Sequence, residues 1–195
     1  MSDRIIRLGG SHIGNSKSIR NLKAFLEQSD NRNFVVFSAI PEVFDLVEKS
    51  IEKVFDQQYK NNKIRSKLEK LFSERSGVNP SQIFQKLTEQ FVNILDGIAL
   101  IGDYSEGLRD QVLSFSEKFS AEILITQWNA EGNEAGLLWP EEIALSASAD
   151  FGSSTFLSVD TQKLQNLSSG VYLLAGSYGL TDSGKTARAG KAAAD

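Results

Sequence analysis

The sequence has no cysteine and one histidine, His12, in 195 residues. That excludes disulfides, thiolate nucleophiles and Cys-rich zinc sites. It also excludes the paired-histidine metalloprotease helix. A Ser-His-Asp hydrolase would have to use His12, which follows a Gly-Gly-Ser turn. Positive charge is in deficit too: 21 Lys and Arg against 25 Asp and Glu leave a net charge of −4. Nucleic-acid or anionic-membrane binding driven by a basic face is therefore not expected. No apolar run approaches the roughly 20 residues of a membrane span, and Met1-Ser2-Asp3-Arg4 lacks a signal-peptide pattern. The expectation is a cytoplasmic chain whose chemistry rests on charges, hydroxyls and backbone amides.

What is present is the balance of a folded core, 41% hydrophobic and 24% charged. The length suits a single domain over residues 1–195, with 186–195 expected as a flexible tail. Arg4-Ile-Ile-Arg-Leu8 reads as a strand stopped by Gly9-Gly10, and Ile19, Leu22, Phe25 and Leu26 then recur at helical spacing. A second apolar run, Phe34 to Phe37, precedes a helix opened by Pro41 with the face Val43, Leu46, Val47, Ile51, Val54 and Phe55. Further helices are predicted around Ile64–Phe72, over 81–95 and over 108–129. Strands are expected at 135–138, 154–159 and 171–175, and a short helix at 160–167. The last twenty residues are small and polar, with nothing large to anchor a core. Alternating strands and helices predict an α/β fold, a helix–sheet–helix sandwich with a mainly parallel sheet.

Two segments could carry chemistry. Leu8-Gly9-Gly10-Ser11 lies between a strand and a helix, where glycines let backbone amides approach a ligand and the helix start favours an anion. A Gly-Gly pair makes the same turn with no ligand at all. Gly179 to Gly184-Lys185-Thr186 fits the spacing of a phosphate-binding P-loop, but nine residues after Thr186 cannot supply a helix and another strand. Asp182-Ser183-Gly184 reads better as a hairpin turn.

Taken in order, these segments resemble the aspartokinases of the amino acid kinase family. Arg7-Leu8-Gly9-Gly10-Ser11 is similar to that family's Lys-Phe-Gly-Gly-Ser/Thr opening, and Val35-Val36-Phe37-Ser38-Ala39 with Asp45-Leu46 to its second strand and following helix. Leu113-Ser-Phe-Ser-Glu117-Lys-Phe-Ser-Ala121 is similar to Leu-Ser-Phe-Gly-Glu-x-Leu-Ser-Ala, and Asp150-Phe151-Gly152 to a Phe-Gly element. Gly176 to Asp195 aligns without gaps on Gly-Phe-Ile-Gly and Gly-Lys-Thr-Thr-Thr-Leu-Gly-Arg-Gly-Gly-Ser-Asp. The departures are Arg7 for lysine, Phe44 for a threonine, Ser116 for glycine, and Ala192-Ala193-Ala194 for Gly-Gly-Ser. The family's later Asp-Gly-Val-Tyr-x-x-Asp-Pro region and its regulatory ACT domains have no counterpart in the sequence.

The resemblance implies an amino acid kinase-like, acceptor-binding lobe. It implies transfer of the γ-phosphoryl group of ATP, with Mg²⁺, to the side-chain carboxylate of aspartate. By resemblance Arg7 would take the catalytic charge and the amides of Gly9, Gly10 and Ser11 would face the phosphate. Ser38 would line the substrate site, Glu117 and Asp195 would hold the acceptor's ammonium, and Lys191 its α-carboxylate. Aspartate, or a similar acidic amino acid, and a second copy of the chain are the expected partners. The departures and the absent second half point instead to a lobe that binds without transferring. The alternatives are a silent sensor of an acidic amino acid and an interaction protein. On the bland reading, Glu117 is a polar helix residue and Lys191–Asp195 a solvated tail.

Overall fold

Strands and helices alternate much as the periodicity predicts. The structure is a computed structural model, and it describes residues 3–13, 15–26, 31–56, 59–132 and 134–189. β1 (Asp3–Leu8) leads through a 3-10 turn (Gly10–His12) to α1 (Ser16–Leu26) and β2 (Arg32–Phe37). Four helices follow: α2 (Pro41–Lys53), α3 (Asn61–Ser76), α4 (Gln82–Ile101) and α5 (Glu106–Ala130). The remainder is β3 (Gly136–Leu138), β4 (Ser146–Ala147), β5 (Phe156–Ser158), α6 (Thr161–Gln165), β6 (Gly170–Ala175), β7 (Tyr178–Leu180) and β8 (Thr186–Arg188).

The main sheet is parallel throughout, in the order β1-β2-β6-β3. Its register puts Ile6, Val35, Leu173 and Leu137 in one row, followed by Leu8, Phe37 and Ala175. These side chains form one face, packed into the core with α1, α2 and α5. The other face carries Ile5, Arg7, Phe34, Val36 and Tyr172. From it Arg32 donates to the carbonyls of Leu164 and Gln165, and Tyr172 to that of Ser168. Thus α6 and its flanks form the third layer, as right-handed crossovers require when β1, β2 and β3 advance across the sheet and β6 returns between them. The fold is the expected helix–sheet–helix α/β sandwich, with a main sheet that is parallel throughout.

α5 is the spine. Residues 112–124 are almost wholly buried, and their phenylalanines meet those of α4: Phe84 and Phe119 have ring centroids 5.1 Å apart, Phe91 and Phe119 5.6 Å, while Phe72 of α3 packs on Phe84 at 4.5 Å. Each such ring removed from water stabilises the fold by about 1.5–3 kcal/mol. Caps fix the ends of these helices: Pro41 opens α2, Ser81 accepts the Phe84 N–H at the start of α4, and Ser105 accepts that of Leu108 at the start of α5.

The C-terminal segment differs from its expected character. Residues 178–188 form a hairpin, with Gly179 opposite Ala187 and Leu180 opposite Thr186. Tyr178 is fully buried, so one large residue does anchor this segment. β8 continues the order through Arg188, while residues 190–195 lie outside the described residues. The P-loop spacing therefore falls on a β-hairpin whose turn closes from Gly184 N–H to Thr181 O, as the turn residues predict. β7, β8 and the two-residue β4 join β5 in a second small sheet. β5 falls inside the strand expected at 154–159, whereas β4, β7 and β8 are too short for an alternating pattern to be read.

Candidate functional site

The carboxyl ends of β1, β2 and β6 meet over α5, the position at which open parallel sheets usually bind ligands. The three ends are drawn together tightly. Ser38 N–H donates to Leu8 O (3.2 Å) and Gly176 N–H to Phe37 O (3.0 Å), which extends the ladder beyond the strands. A Cβ on Gly10 would sit 1.8 Å from Ala39 O, so only glycine lets the turn after β1 approach the end of β2 this closely. From below, Ser120 on α5 accepts the Ile40 N–H at 2.9 Å.

Glu117 is one turn from Ser120 on the same helix and only 1% exposed. Its Oε2 accepts the Ser177 N–H at 3.1 Å, directly beyond the end of β6. Burial raises its carboxyl pKa from 4.5 to about 7, against the opposing pull of the Arg188 guanidinium and the Ser177 N–H. Glu117 therefore changes charge near neutrality, which a polar helix residue in solvent does not do. Arg188 comes from β8. Its backbone N–H is held by Asp110 Oδ2 (2.9 Å), which also takes the Gly152 N–H (2.8 Å), and its guanidinium lies 5.4 Å above the Phe44 ring.

Three buried polar atoms in this cluster have no hydrogen-bond partner among the described residues: Ser177 Oγ, Arg188 Nε and Asp110 Oδ1. Unpaired buried polar groups are rare enough in folded proteins that a cluster of them marks a place for water or a polar ligand. Chemically, the arrangement offers the Glu117 carboxyl, the Arg188 guanidinium and the Ser177 hydroxyl, with a second carboxylate, Asp110, two turns earlier on α5 and engaged with the backbone of Gly152 and Arg188. That set suits a zwitterion, with the carboxylate for an ammonium and the guanidinium fork for a carboxylate.

Of the residues singled out from sequence, Gly9, Gly10, Ser11, Ser38 and Glu117 all lie at this end of the sheet. Gly10 is buried, Gly9 and Ser38 are half-buried and Ser11 is exposed. Arg7 is exposed and projects from the sheet face opposite α5, in register with Val36, because it alternates with the core residues Ile6 and Leu8. Lys191 and Asp195 lie outside the described residues. Ser116 makes an intrahelical bond to Leu113 O, so its hydroxyl is used locally. Sequence reasoning missed Arg188, Asp110 and Ser177. The signal for Arg188 was available, since the ungapped match places it on a threonine of the family pattern. Asp110 carried none, because its role depends on a hairpin 78 residues away.

No family model and no curated protein matches the chain. Solved structures do. Escherichia coli aspartokinase III in complex with lysine and aspartate superposes with a TM-score of 0.75 at 16% identity, over 97% of this chain and 44% of that one. The same enzyme with aspartate and ADP gives 0.71 at 17% identity, over 99% and 44%. Clostridium acetobutylicum aspartate kinase gives 0.68 at 18%, over 96% and 42%. The chain thus spans less than half the length of the structures it matches, and over that span its fold is aspartokinase-like.

Proposed function

We propose that this chain is an aspartokinase-like acceptor lobe that binds a small acidic amino acid, aspartate first among them, without transferring phosphate to it. The observation that carries this reading is the buried Glu117 carboxyl with two unpaired buried atoms on the residues that act on it, Ser177 Oγ and Arg188 Nε. An amino acid's ammonium would take Glu117, one of its carboxylates would take Arg188, and the Ser177 hydroxyl would complete the set. Lys191 and Asp195 would add the charges the family resemblance assigns them, and Ser38 with the Gly9–Ser11 turn would form the rim. The solved aspartokinases III contain aspartate, which supports the choice of ligand by likeness of fold.

The substitutions favour binding over transfer. Phe44 and Arg188 both stand where the family pattern has threonine, so two neutral hydroxyls give way to a guanidinium resting on an aromatic ring. That pair adds a fixed positive charge near the acceptor position, suited to a carboxylate held in place. Arg7, the residue matching the family's catalytic lysine, carries a forked charge rather than a point charge. ATP and Mg²⁺ belong to the transfer reading, and poor nucleotide binding by this chain goes with the binding reading.

The test is an NMR titration of the chain with aspartate, alongside Glu117→Gln. Shifts at Gly9–Ser11, Ser38 and Ser177 in the wild type, lost in the variant, support the reading. If saturating aspartate moves no resonance in either protein, the site is vestigial and the interaction-protein alternative takes over.

A further inference from the structure

Away from the strand ends, α2 and α3 enclose a groove whose charge runs against that of the chain. A cavity of about 250 Å³ opens between them, floored by Leu46, Ser50, Tyr59 and Ile64. Its rim is Lys49, Lys53, Lys60, Lys63 and Lys67, with Asp56 the one carboxylate of the lining. The whole chain carries −4. Lys49 is paired with Asp45 at 3.5 Å. Lys53, Lys60, Lys63 and Lys67 have no carboxylate partner among the described residues.

This concentration of charge works against the helices that bear it. Lys49 and Lys53 are one turn apart on α2, and Lys63 and Lys67 one turn apart on α3, a spacing at which like charges destabilise a helix. α3 also begins at the wrong end for cations. Lys60 occupies its N-cap with no side-chain cap bond, and no acidic residue lies in its first turn. Ser, Asp or Asn is the usual choice there, and the helix dipole already presents positive charge. A merely solvated face would spread its lysines outward around a convex surface. Here two helices turn theirs toward one concavity with an apolar floor.

The groove is also held in shape. Asp96 of α4 accepts the Tyr59 O–H at 3.0 Å and the Asn61 side-chain amide at 3.1 Å, which pins the floor and the first turn of α3. A ligand would find the cations already gathered and would lose less in ordering them.

We propose that this groove binds a small phosphorylated molecule carrying three or more negative charges. Its phosphates would be held by the ammonium groups of Lys53, Lys60, Lys63 and Lys67, with any apolar body resting on Leu46, Tyr59 and Ile64. Lysine suits this role as a point charge on a flexible stem that can follow a chain of phosphates. The site is separate from the Glu117 cluster, and its occupancy does not depend on the amino-acid reading.

The probe is inorganic tripolyphosphate, titrated into the full chain at low salt and followed by NMR. Saturable shifts in the second half of α2 and the first turn of α3 are expected. The double variant Lys53→Glu/Lys63→Glu should weaken binding at least about tenfold. Lys70→Glu, on α3 beyond the groove and paired with Glu74 at 3.6 Å, should leave it within about twofold. All three side chains are exposed, so the substitutions remove no buried side chain, and unshifted amide resonances of α4 and α5 check that the fold is kept. The proposal is overturned if tripolyphosphate gives no saturable shift, or if Lys70→Glu weakens binding as much as the double variant. It is overturned equally if anionic phospholipid vesicles displace the same resonances while tripolyphosphate does not, which would make the patch a membrane-facing surface.

Discussion

Replacing Glu117 by glutamine should make the protein more stable above neutral pH and leave it nearly unchanged in acid. Glutamine keeps the shape and the acceptor for the Ser177 N–H but carries no charge. The Glu117 carboxyl titrates at about 7 in the fold, against 4.5 in the unfolded chain, because burial disfavours its ionised form more than Arg188 and Ser177 favour it. Between those values the native state holds a proton that the unfolded chain has released. Stability therefore is greatest below the lower value, falls as pH rises toward the upper one, and is flat beyond it. At roughly 1.4 kcal/mol for each pKa unit, the ionised fold is weakened by on the order of 3 kcal/mol, most of it lost between about pH 4.5 and about pH 7. Urea unfolding of both proteins across that range is the assay, since subtracting one curve from the other cancels every titration they share. The variant should gain about 2–3 kcal/mol on the wild type from the acid to the alkaline end. A difference independent of pH would refute the reasoning, because it would mean that Glu117 is ionised throughout and compensated by its neighbours.

Arg188→Ala should push the Glu117 carboxyl higher still, extending the upper edge of the pH window of stability loss in the same unfolding series. An unmoved window would show that the two charges do not sense each other. Gly10→Ala places a methyl group 1.8 Å from Ala39 O and 2.9 Å from Ser38 O, both backbone atoms that cannot swing aside. It should cost at least about 2–3 kcal/mol in urea unfolding, and a loss below about 0.5 kcal/mol would mean the turn yields freely. In a coupled assay for ADP, Mg-ATP and aspartate should give no aspartate-dependent turnover, and sustained turnover would favour the transfer reading.

Much of the fold was legible because its strongest signals were local. Pro41 marks the start of α2, and the apolar stripes over 81–95 and 108–129 fall within α4 and α5, although α5 opens two residues earlier, at a Ser105 cap that the periodicity does not show. The run from Leu113 to Ala121 was harder to interpret from periodicity alone. Polar Ser116, Glu117 and Ser120 are as buried as their apolar neighbours, since α5 is covered on all sides there. Glu117 stood out only through its motif. Arg188 and Asp110 were illegible for a different reason. Their meaning comes from a hairpin folding back onto α5, and neither short strand spells out its partner. The lysine groove was hidden by averaging, because a chain with a net charge of −4 gives no hint that five lysines converge on one cavity.

The central claim is that Glu117, in its ionised form, seats the ammonium of an acidic amino acid. Calorimetry with aspartate across the titration of Glu117 tests it most directly, because ligand binding must first remove the carboxyl proton. With that carboxyl at about 7, affinity should strengthen about tenfold for each pH unit gained below neutrality and level off above it. The Glu117→Gln variant should show no such rise. An aspartate affinity that stays constant across the same range, or one that the variant retains in full, would contradict the account.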